Sequence, residues 1–193
     1  NDIYVCNGIN HDVTNLDFMD FFANDVVQNM IVSGQKESVD SVLVHIPINL
    51  IPNKAFLNNG NCRFTDAGTA WGLNEPSCSN GAAYGDLDGD GDLDLVVNNE
   101  NQPAFVYRNN SREQNKNNYI AFTLKGSNQN TFAIGSTIKV YKGSQIFYRE
   151  VYPSRGFQSS VDYRQVIGLG TAVGIDSVEI IWSNRTYTTY RNL

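Results

Sequence analysis

The chain has 193 residues, which is enough for one large or two small domains with a buried core. Ten tyrosines and ten phenylalanines favour a globular protein, and no apolar run approaches the roughly 18 residues of a membrane span. The net charge of −6 is uneven, because residues 1–115 carry 16 acidic and 5 basic side chains whereas residues 116–193 carry 4 and 9. The acidic first part suits cation binding, and the lack of a basic stripe interleaved with aromatic residues argues against a nucleic-acid partner.

Two short segments near the N-terminus recur later in the chain. Asp2–Asn7 parallels Asp94–Asn99, and Ala55–Gly60 parallels Val106–Ser111. Such internal similarity is typical of repeat architectures, in which each repeat is one supersecondary unit. We therefore expect the chain to begin inside a repeat, with further repeats upstream.

A helical insertion is predicted at about residues 15–46. In Leu16–Ser33 the apolar side chains recur at intervals of three and four residues, and Gly34 suits the position after a helix C-terminus. A shorter predicted helix, Ser38–His45, is ended by Pro47. This hairpin either binds a partner, or caps the exposed end of a propeller or packs between domains; the second interpretation is favoured because amphipathic helices more often serve a core.

Short runs of β-branched and aromatic residues predict strands through the rest of the chain. Before residue 109 they lie at Ala55–Asn58, Phe64–Asp66, Ser79–Tyr84, Leu93–Asn98 and Ala104–Arg108. After residue 118 they lie at Tyr119–Leu124, Thr137–Tyr141, Gln145–Val151, Gln165–Gly168 and Ser177–Trp182. The polar segment Asn109–Asn118 between the two groups is the predicted linker.

The most informative segment is an acidic loop with aspartates at five alternate positions: Asp86, Asp88, Asp90, Asp92 and Asp94. Neighbouring carboxylates repel by about 1 kcal/mol per close pair even in water, so a fold that gathers them favours a hard cation between them. Oxygen ligands on a flexible, glycine-bearing loop favour Ca²⁺ over Mg²⁺. The alternative is a solvated acidic turn without a metal.

The first half of the acidic loop follows the pattern of an EF-hand loop, with Gly91 at position 6. The second half differs, because position 12 is Val97 where an EF-hand needs a bidentate glutamate, and because strands rather than helices flank the loop. We therefore expect Asp94, at position 9, to close the site. Position 7 usually provides its backbone carbonyl, so Asp92 is expected to bind through that oxygen with its carboxylate facing solvent.

The segment Tyr84–Asn99 resembles the calcium-loop repeat of integrin-α-type propellers, known as the FG-GAP or VCBS repeat. This resemblance implies that the acidic loop joins two neighbouring strands of a propeller blade. It also implies a Ca²⁺ ligand set, which maps onto Asp86, Asp88, Asp90, Asp92 through its carbonyl, and Asp94.

The C-terminal part resembles the ASPIC/UnbV domain, which follows such repeats in the cartilage acidic protein family and in many bacterial cell-envelope proteins. The matching segments are Ala133–Ser136, Ser154–Ser159, Ile167–Gly170 and Ile175–Trp182. Two features depart from that family. Ser183 follows Trp182 where the family has a proline, and the chain stops at Leu193, short of what we would expect as a final strand.

Together these observations predict a mainly β fold. Residues 1–115 are expected to form partial β-propeller blades with the helical-hairpin insertion. Residues 116–193 are expected to form a β-sandwich-like C-terminal domain.

Redox and catalytic motifs are not evident in the sequence. The cysteines Cys6, Cys62 and Cys78 lack metal-site spacing. Cys62 and Cys78 could pair in an oxidising compartment, or all three could stay reduced. The two histidines, His11 and His45, suggest no Ser-His-Asp arrangement.

The predicted function is a non-catalytic, calcium-stabilised binding or adhesion module with a glycan or protein ligand. The resemblances imply an extracellular, cell-surface or periplasmic location. The alternative is an accessory module or subunit of a secreted polysaccharide-acting enzyme, which would need two carboxylates with separate roles in one cleft. The dense carboxylates of this chain are expected to be committed to a cation, so no enzymatic activity is predicted.

Overall fold

A computed structural model describes residues 2–8, 10–12, 15–18, 20, 23–34, 46–191 and 193. Within these residues the chain forms fourteen short strands and two helices, which confirms the predicted mainly β fold class. Two compact units are present: Asn1–Asn80 with Asn99–Pro103, and Gly81–Asn98 with Ala104–Leu193. The domain boundary predicted between residues 115 and 116 stays a prediction.

The first unit contains a three-stranded antiparallel sheet. Its strands are β1 (Ile3–Val5), β3 (Lys54–Asn58) and β4 (Phe64–Asp66), with β3 in the middle, and a separate pair joins β2 (Ile51–Pro52) to β5 (Pro76–Ser77). β3 and β4 lie where the strand pattern predicts them. Ala55 of β3 is buried, whereas its neighbour Lys54 is exposed, because successive side chains of a strand point to opposite faces.

The helical insertion is described in part. Helix α1 spans Ala23–Ser33, within the predicted Leu16–Ser33. It ends at Gly34, which has a φ of +64° and donates its N–H to the Met30 carbonyl at 3.0 Å, as predicted for the residue after the C-terminus. The second predicted helix, Ser38–His45, lies outside the described residues. No helix in the described ranges has both the length and the apolar character that crossing a membrane requires.

The acidic loop connects two neighbouring strands, as predicted. Its sheet has the order β6 (Ser79–Gly85), β7 (Asp94–Asn99) and β8 (Phe105–Tyr107). The loop leaves the end of β6 and returns into β7, whose first residue is Asp94. β7 and β8 pair antiparallel, so the residues that follow β8 lie at the same end of the sheet as the acidic loop.

The segment Asn109–Asn118, which composition predicts as a linker, has regular structure. Helix α2 (Ser111–Asn115) lies within it, and β9 begins at Asn118. The cause is a set of hydrogen bonds that composition does not reveal. Asn109 Oδ1 accepts the Ser111 N–H at 3.0 Å, and Asp94 Oδ1 accepts the Asn109 N–H at 2.8 Å.

Two sheets share one apolar core in the C-terminal part of the second unit. The larger has the order β11 (Gln145–Glu150), β10 (Thr137–Lys142), β13 (Ser177–Ile181) and β14 (Tyr187–Arg191), and the smaller pairs β12 (Gln165–Gly170) with β9 (Asn118–Phe122). Ile138 and Val178 from the first sheet and Ile167 from the second are at most 1% exposed and belong to the same cluster. Burying each such side chain stabilises the fold by about 1.5–3 kcal/mol. This arrangement agrees with the predicted sandwich-like domain.

A final strand is present, which corrects the expectation drawn from the family resemblance. β14 pairs with β13 along its whole length. The Trp182 N–H donates to the Thr186 carbonyl at 2.9 Å and closes the turn between the two strands, and Trp182 Nε1 donates to Thr188 Oγ1 at 2.8 Å. The run of threonine and tyrosine in β14 has high strand propensity, so the sequence carried a local signal for this strand.

Candidate metal centre

The acidic loop is folded in part by its own carboxylates. Asp88 Oδ1 accepts the Asp90 N–H at 3.3 Å, and Asp90 Oδ1 accepts the Asp92 N–H at 3.0 Å. Each aspartate therefore binds the backbone two residues further on, as in an Asx turn. Gly89 and Gly91 have φ values of +79° and +95°, a region that favours glycine. The alternation of aspartate and glycine thus sets the path of the backbone.

Two groups of acidic side chains among the described residues could hold a metal ion. In each group, one ligand atom from every residue lies within 4.8 Å of the others. The first group is Asp86, Asp88 and Asp90, and the second is Asp90, Asp92 and Glu113. The structure therefore brings together four of the five predicted ligand residues and adds Glu113, which belongs to α2.

Three buried carboxylate oxygens in these groups have no hydrogen-bond partner: Asp86 Oδ1, Asp90 Oδ2 and Asp92 Oδ1. The side chain of Asp86 is only 3% exposed, so solvent does not compensate its free oxygen. A buried polar atom without a partner costs about 1–3 kcal/mol, and a charged one costs more. The free oxygens fit a hard cation, because such ions bind through oxygen ligands.

Arg108, which directly follows β8, contacts three acidic side chains. Its Nε lies 2.8 Å from Asp88 Oδ2, and its Nη2 lies 2.6 Å from Glu113 Oε1. The same Nη2 lies 3.5 Å from Asp90 Oδ2, which is an ion pair without hydrogen-bond geometry. The negative charge of Asp88, followed by that of Glu113, raises the pKa of Arg108. Arg108 is thus an internal counter-charge shared by both metal-capable groups.

Arg164, which lies just before β12, pairs with Asp86. Its Nη1 donates to Asp86 Oδ2 at 3.0 Å. A nearly buried carboxylate needs such a partner, because removing an ion from water costs several kcal/mol. Arg164 engages only one of the two oxygens and leaves Asp86 Oδ1 free.

Asp92 differs from its prediction in one respect. Its carboxylate faces α2 rather than solvent, and its Oδ2 accepts the Ser111 Oγ–H at 3.2 Å and the Arg112 N–H at 2.9 Å. Burial is the largest cause that raises the pKa of Asp92, and the charge of Asp90 adds to it. The pKa of Asp90 is lowered, chiefly by the N–H of Asp92. The solvent-facing expectation is wrong because α2 covers this side of the loop.

Asp94 stands outside both metal-capable groups. It is 3% exposed, and its two oxygens accept backbone N–H groups from Leu87 at 3.0 Å and Asn109 at 2.8 Å. Asp94 therefore ties the start of the loop to the segment after β8. Its role as a metal ligand stays a prediction.

The first unit contains the same structural contact. Asp2 Oδ1 accepts the Asn58 N–H at 2.9 Å, just as Asp94 Oδ1 accepts the Asn109 N–H. The strand pairings have matching registers in the two copies: Ile3 opposite Phe56, and Leu95 opposite Tyr107. The similarity found in the sequence is therefore a structural repeat.

The ring of Tyr119 packs against Gly91 of the acidic loop. A Cβ atom on Gly91 would lie 1.9 Å from that ring, whereas a Cβ on Gly89 would meet no atom within 4 Å. The Arg112 guanidinium lies 5.0 Å from the Tyr119 ring centroid, within the range of a cation–π contact, and donates to the Asp90 carbonyl. Gly91 thus provides both a backbone turn and the space for an aromatic contact.

Three charged residues of this centre, Arg108, Arg164 and Glu113, were missed by sequence reasoning. Arg108 had a positional signal, because it ends the strand that pairs with β7. Glu113 lay in the segment interpreted as a linker. Arg164 had no signal in the sequence, because it lies 78 positions from its partner Asp86.

The cysteines and His11, the other candidate reactive groups of the sequence, have surroundings that suit a structural role. No disulfide joins Cys6, Cys62 and Cys78, all of which lie within the described residues, so the possible pairing of Cys62 with Cys78 is not formed. Burial raises the pKa of the Cys6 and Cys78 thiols, which makes them less reactive. His11 Nδ1 lies 3.0 Å from the Ile46 carbonyl.

Two protein families match different parts of the chain. Residues 49–97 match the FG-GAP-like repeat, a stretch that includes the acidic loop, and residues 126–193 match the family described as ASPIC and UnbV. A search of curated proteins gave no match. The wider likeness to the cartilage acidic protein family stays a prediction. The chain therefore contains an FG-GAP-like repeat followed by an ASPIC and UnbV domain.

Proposed function

We propose that the chain is a non-catalytic, calcium-stabilised binding module. The observation that carries this proposal is the set of three buried, unpartnered carboxylate oxygens on Asp86, Asp90 and Asp92. None of them accepts a hydrogen bond, and Asp90 belongs to both metal-capable groups, with Asp86 and Asp88 in one and with Asp92 and Glu113 in the other. A bound cation would stabilise the loop by satisfying acceptors that protein groups leave free.

Calcium is the cation best suited to this ligand set. All candidate ligands are oxygens, and they lie on a loop with glycines at two positions, which matches the flexible coordination of Ca²⁺. Asp86, Asp88 and Asp90 would hold the ion, with Asp92 contributing its backbone carbonyl or carboxylate. Asp94 is proposed to support the site chiefly through its two backbone hydrogen bonds.

An extracellular, cell-surface or periplasmic location suits this chemistry. FG-GAP-like and UnbV domains are typical of extracellular or cell-envelope proteins. Calcium sites of extracellular modules have dissociation constants of about 10⁻⁴–10⁻³ M. The ion is proposed to have a structural role.

A candidate surface for the glycan or protein ligand is the outer face of the four-stranded sheet. Ile146, Tyr148 and Tyr187 on this face are 62%, 53% and 66% exposed. Their registers place them on the side opposite the core residue Ile138. Tyrosine side chains combine an apolar ring with a polar hydroxyl, which is why they are enriched at binding surfaces.

The calcium proposal is tested by thermal unfolding of the chain in EGTA and in millimolar Ca²⁺. Because a ligand that binds only the native state stabilises it by mass action, we expect Ca²⁺ to raise the Tm by about 5 °C. Asp90→Asn should remove most of this increase. Asp25→Asn makes the same chemical change at an exposed position on α1, and it should retain the increase in Tm. Equal melting temperatures in EGTA and Ca²⁺ would refute the structural role of calcium.

The binding proposal is tested by a glycan array and a protein-capture assay, run beside a polysaccharide-hydrolysis screen. Saturable binding without product formation is the expected result, and Tyr148→Ala together with Tyr187→Ala should weaken it. Hydrolysis of a glycan that depends on Asp86 or Asp88 would replace the proposal with an enzymatic function.

A further inference from the structure

The two arginines of the metal centre engage their aspartates differently. Arg164 contacts one oxygen of Asp86 and leaves the other buried and free. Arg108 instead lies on Asp88 and Asp90, two of the three residues in the first metal-capable group. Arg164 is therefore compatible with a cation at Asp86, whereas Arg108 occupies carboxylates that the cation would need.

Asp88 shows this occupation most clearly. Its Oδ2 lies 2.8 Å from Arg108 Nε, and its Oδ1 accepts the Asp90 N–H at 3.3 Å. Both oxygens thus have partners before any ion binds. The side chain of Arg108 is 56% exposed, so its guanidinium is not buried and can move away from Asp88 into solvent.

Glu113 provides a second anchor for the same guanidinium. Its Oε1 lies 2.6 Å from Arg108 Nη2, and its side chain is 48% exposed. Glu113 also belongs to the second metal-capable group with Asp90 and Asp92. One arginine therefore bridges both groups at Asp88, Asp90 and Glu113.

We propose that Arg108 is a built-in competitor of the cation, which lowers the affinity of the acidic loop and makes its occupancy respond to the calcium concentration. The positive guanidinium neutralises the carboxylates when calcium is scarce, so the loop stays folded. The same charge opposes a divalent ion at the same oxygens. This inference rests on the proposed calcium function, because it concerns the regulation of that site.

The test is calorimetric titration of the full chain with Ca²⁺, combined with thermal unfolding in EGTA and in saturating Ca²⁺. Arg108→Gln should bind Ca²⁺ about tenfold more tightly than the wild type, because a unit positive charge is removed from beside the ion. In EGTA the same variant should melt at a lower temperature, since three carboxylates lose their counter-charge. In saturating Ca²⁺ its Tm should return to about the wild-type value.

Arg191→Gln is the matched control, because it removes the same charge from an exposed position on β14. We expect it to leave both the affinity and the two melting temperatures unchanged. Arg108→Lys keeps the charge but loses the planar fork that contacts several carboxylates at once, so its affinity should lie between those of the wild type and Arg108→Gln. This variant decides the question if Arg108→Gln does not fold.

The possible results separate the two proposals. One result is that the wild type and Arg108→Gln bind Ca²⁺ with the same affinity, while the variant melts at a lower temperature in EGTA and in saturating Ca²⁺. This result would show that Arg108 has only a structural role. In that case the competitor role fails and the calcium site stands. No heat of binding in any variant, with no effect of EGTA on the wild type, would overturn both.

Discussion

Two buried polar clusters in this molecule differ in how they satisfy their hydrogen bonds. The first unit buries Asn53, Ser77 and Ser79, which are at most 2% exposed. Asn53 Nδ2 donates to Ser79 Oγ at 2.7 Å and to Ser77 Oγ at 3.2 Å, and its Oδ1 accepts the Asn7 N–H at 3.0 Å. The acidic loop of the second unit leaves three carboxylate oxygens without a hydrogen-bond donor.

The difference follows from the chemistry of the side chains. Amides and hydroxyls both donate and accept, so a few of them can complete one another inside a protein. In the first unit the chain of bonds continues from Ser79 Oγ to Asn99 Oδ1 at 2.7 Å and ends at the Pro103 carbonyl, which Asn99 Nδ2 reaches at 2.7 Å. Ionised carboxylates only accept, so each added aspartate increases the demand for donors.

The comparison therefore separates a cluster whose polar groups satisfy one another from a loop in which acceptors outnumber donors. The Asn53 cluster, formed by Asn53, Ser77, Ser79 and Asn99, should stabilise the fold under all ionic conditions. The acidic loop should contribute fully only when a cation is bound.

The largest expected effect is that of Asn53→Ala. The substitution removes three hydrogen bonds and leaves buried hydroxyls with fewer partners, so we expect the free energy of unfolding to fall by roughly 3 kcal/mol. The loss should be the same in EGTA and in Ca²⁺, as measured by urea titration with tyrosine and tryptophan fluorescence. Asn59→Ala is the control, since its amide makes an exposed bond to Thr65 at 2.7 Å and should cost less than 1 kcal/mol. A loss for Asn53→Ala that vanishes in Ca²⁺ would break the distinction between the two clusters.

A smaller effect is expected from Gly91→Ala. The new methyl group would overlap the Tyr119 ring, and the φ of +95° is unfavourable for alanine, so we expect a loss of roughly 2 kcal/mol together with weaker Ca²⁺ binding. Gly89→Ala isolates the backbone contribution, because its Cβ position is open and its φ of +79° is similar. This control should lose roughly 1 kcal/mol. Equal losses for the two variants would show that the Tyr119 contact does not support the loop.

Local patterns predicted the strands and the loop well. β3, β4 and the strands from β9 to β13 lie within one or two residues of their predicted positions, because alternation and β-branched residues reflect burial on a sheet. The repeat was also visible, since its two copies preserve an aspartate, an apolar run and an asparagine turn. These features depend on residues that are close in sequence.

Long-range contacts of the site were not predictable in the same way. Arg164 reaches Asp86 across 78 positions, and nothing in its immediate neighbours indicates that partner. The segment 109–118 looks like a linker by composition, yet its backbone donates to Asp92 and Asp94. Acidic residues of the loop therefore organise a polar segment that has no apolar signal of its own.

The smallest expected effect concerns Asp66, a carboxylate of the first unit that has its own partners. The Gly68 N–H is the main cause that lowers the pKa of Asp66, and the Lys54 ammonium, at 3.1 Å, adds to it. Because the folded pKa lies below the unfolded value, Asp66 stabilises the protein above about pH 4, and this contribution is lost as the pH falls through the folded pKa. Asp66→Asn should therefore be slightly less stable than the wild type at pH 5–7. The difference should become smaller as the pH falls through the folded pKa of Asp66.

Lys54→Gln divides the contribution of Asp66 into its two sources. The ion pair is exposed at both ends, so its loss should reduce stability less than Asp66→Asn does. Urea titrations of the three proteins in EGTA between pH 2.5 and pH 7 give the comparison. A larger loss for Lys54→Gln would mean that this carboxylate depends on a neighbouring charge, as those of the acidic loop do. A smaller loss for Lys54→Gln would instead show that the backbone bond from Gly68 is the main contribution, so that a single carboxylate can be satisfied locally, unlike the acidic loop, where three carboxylate oxygens lack a hydrogen-bond donor.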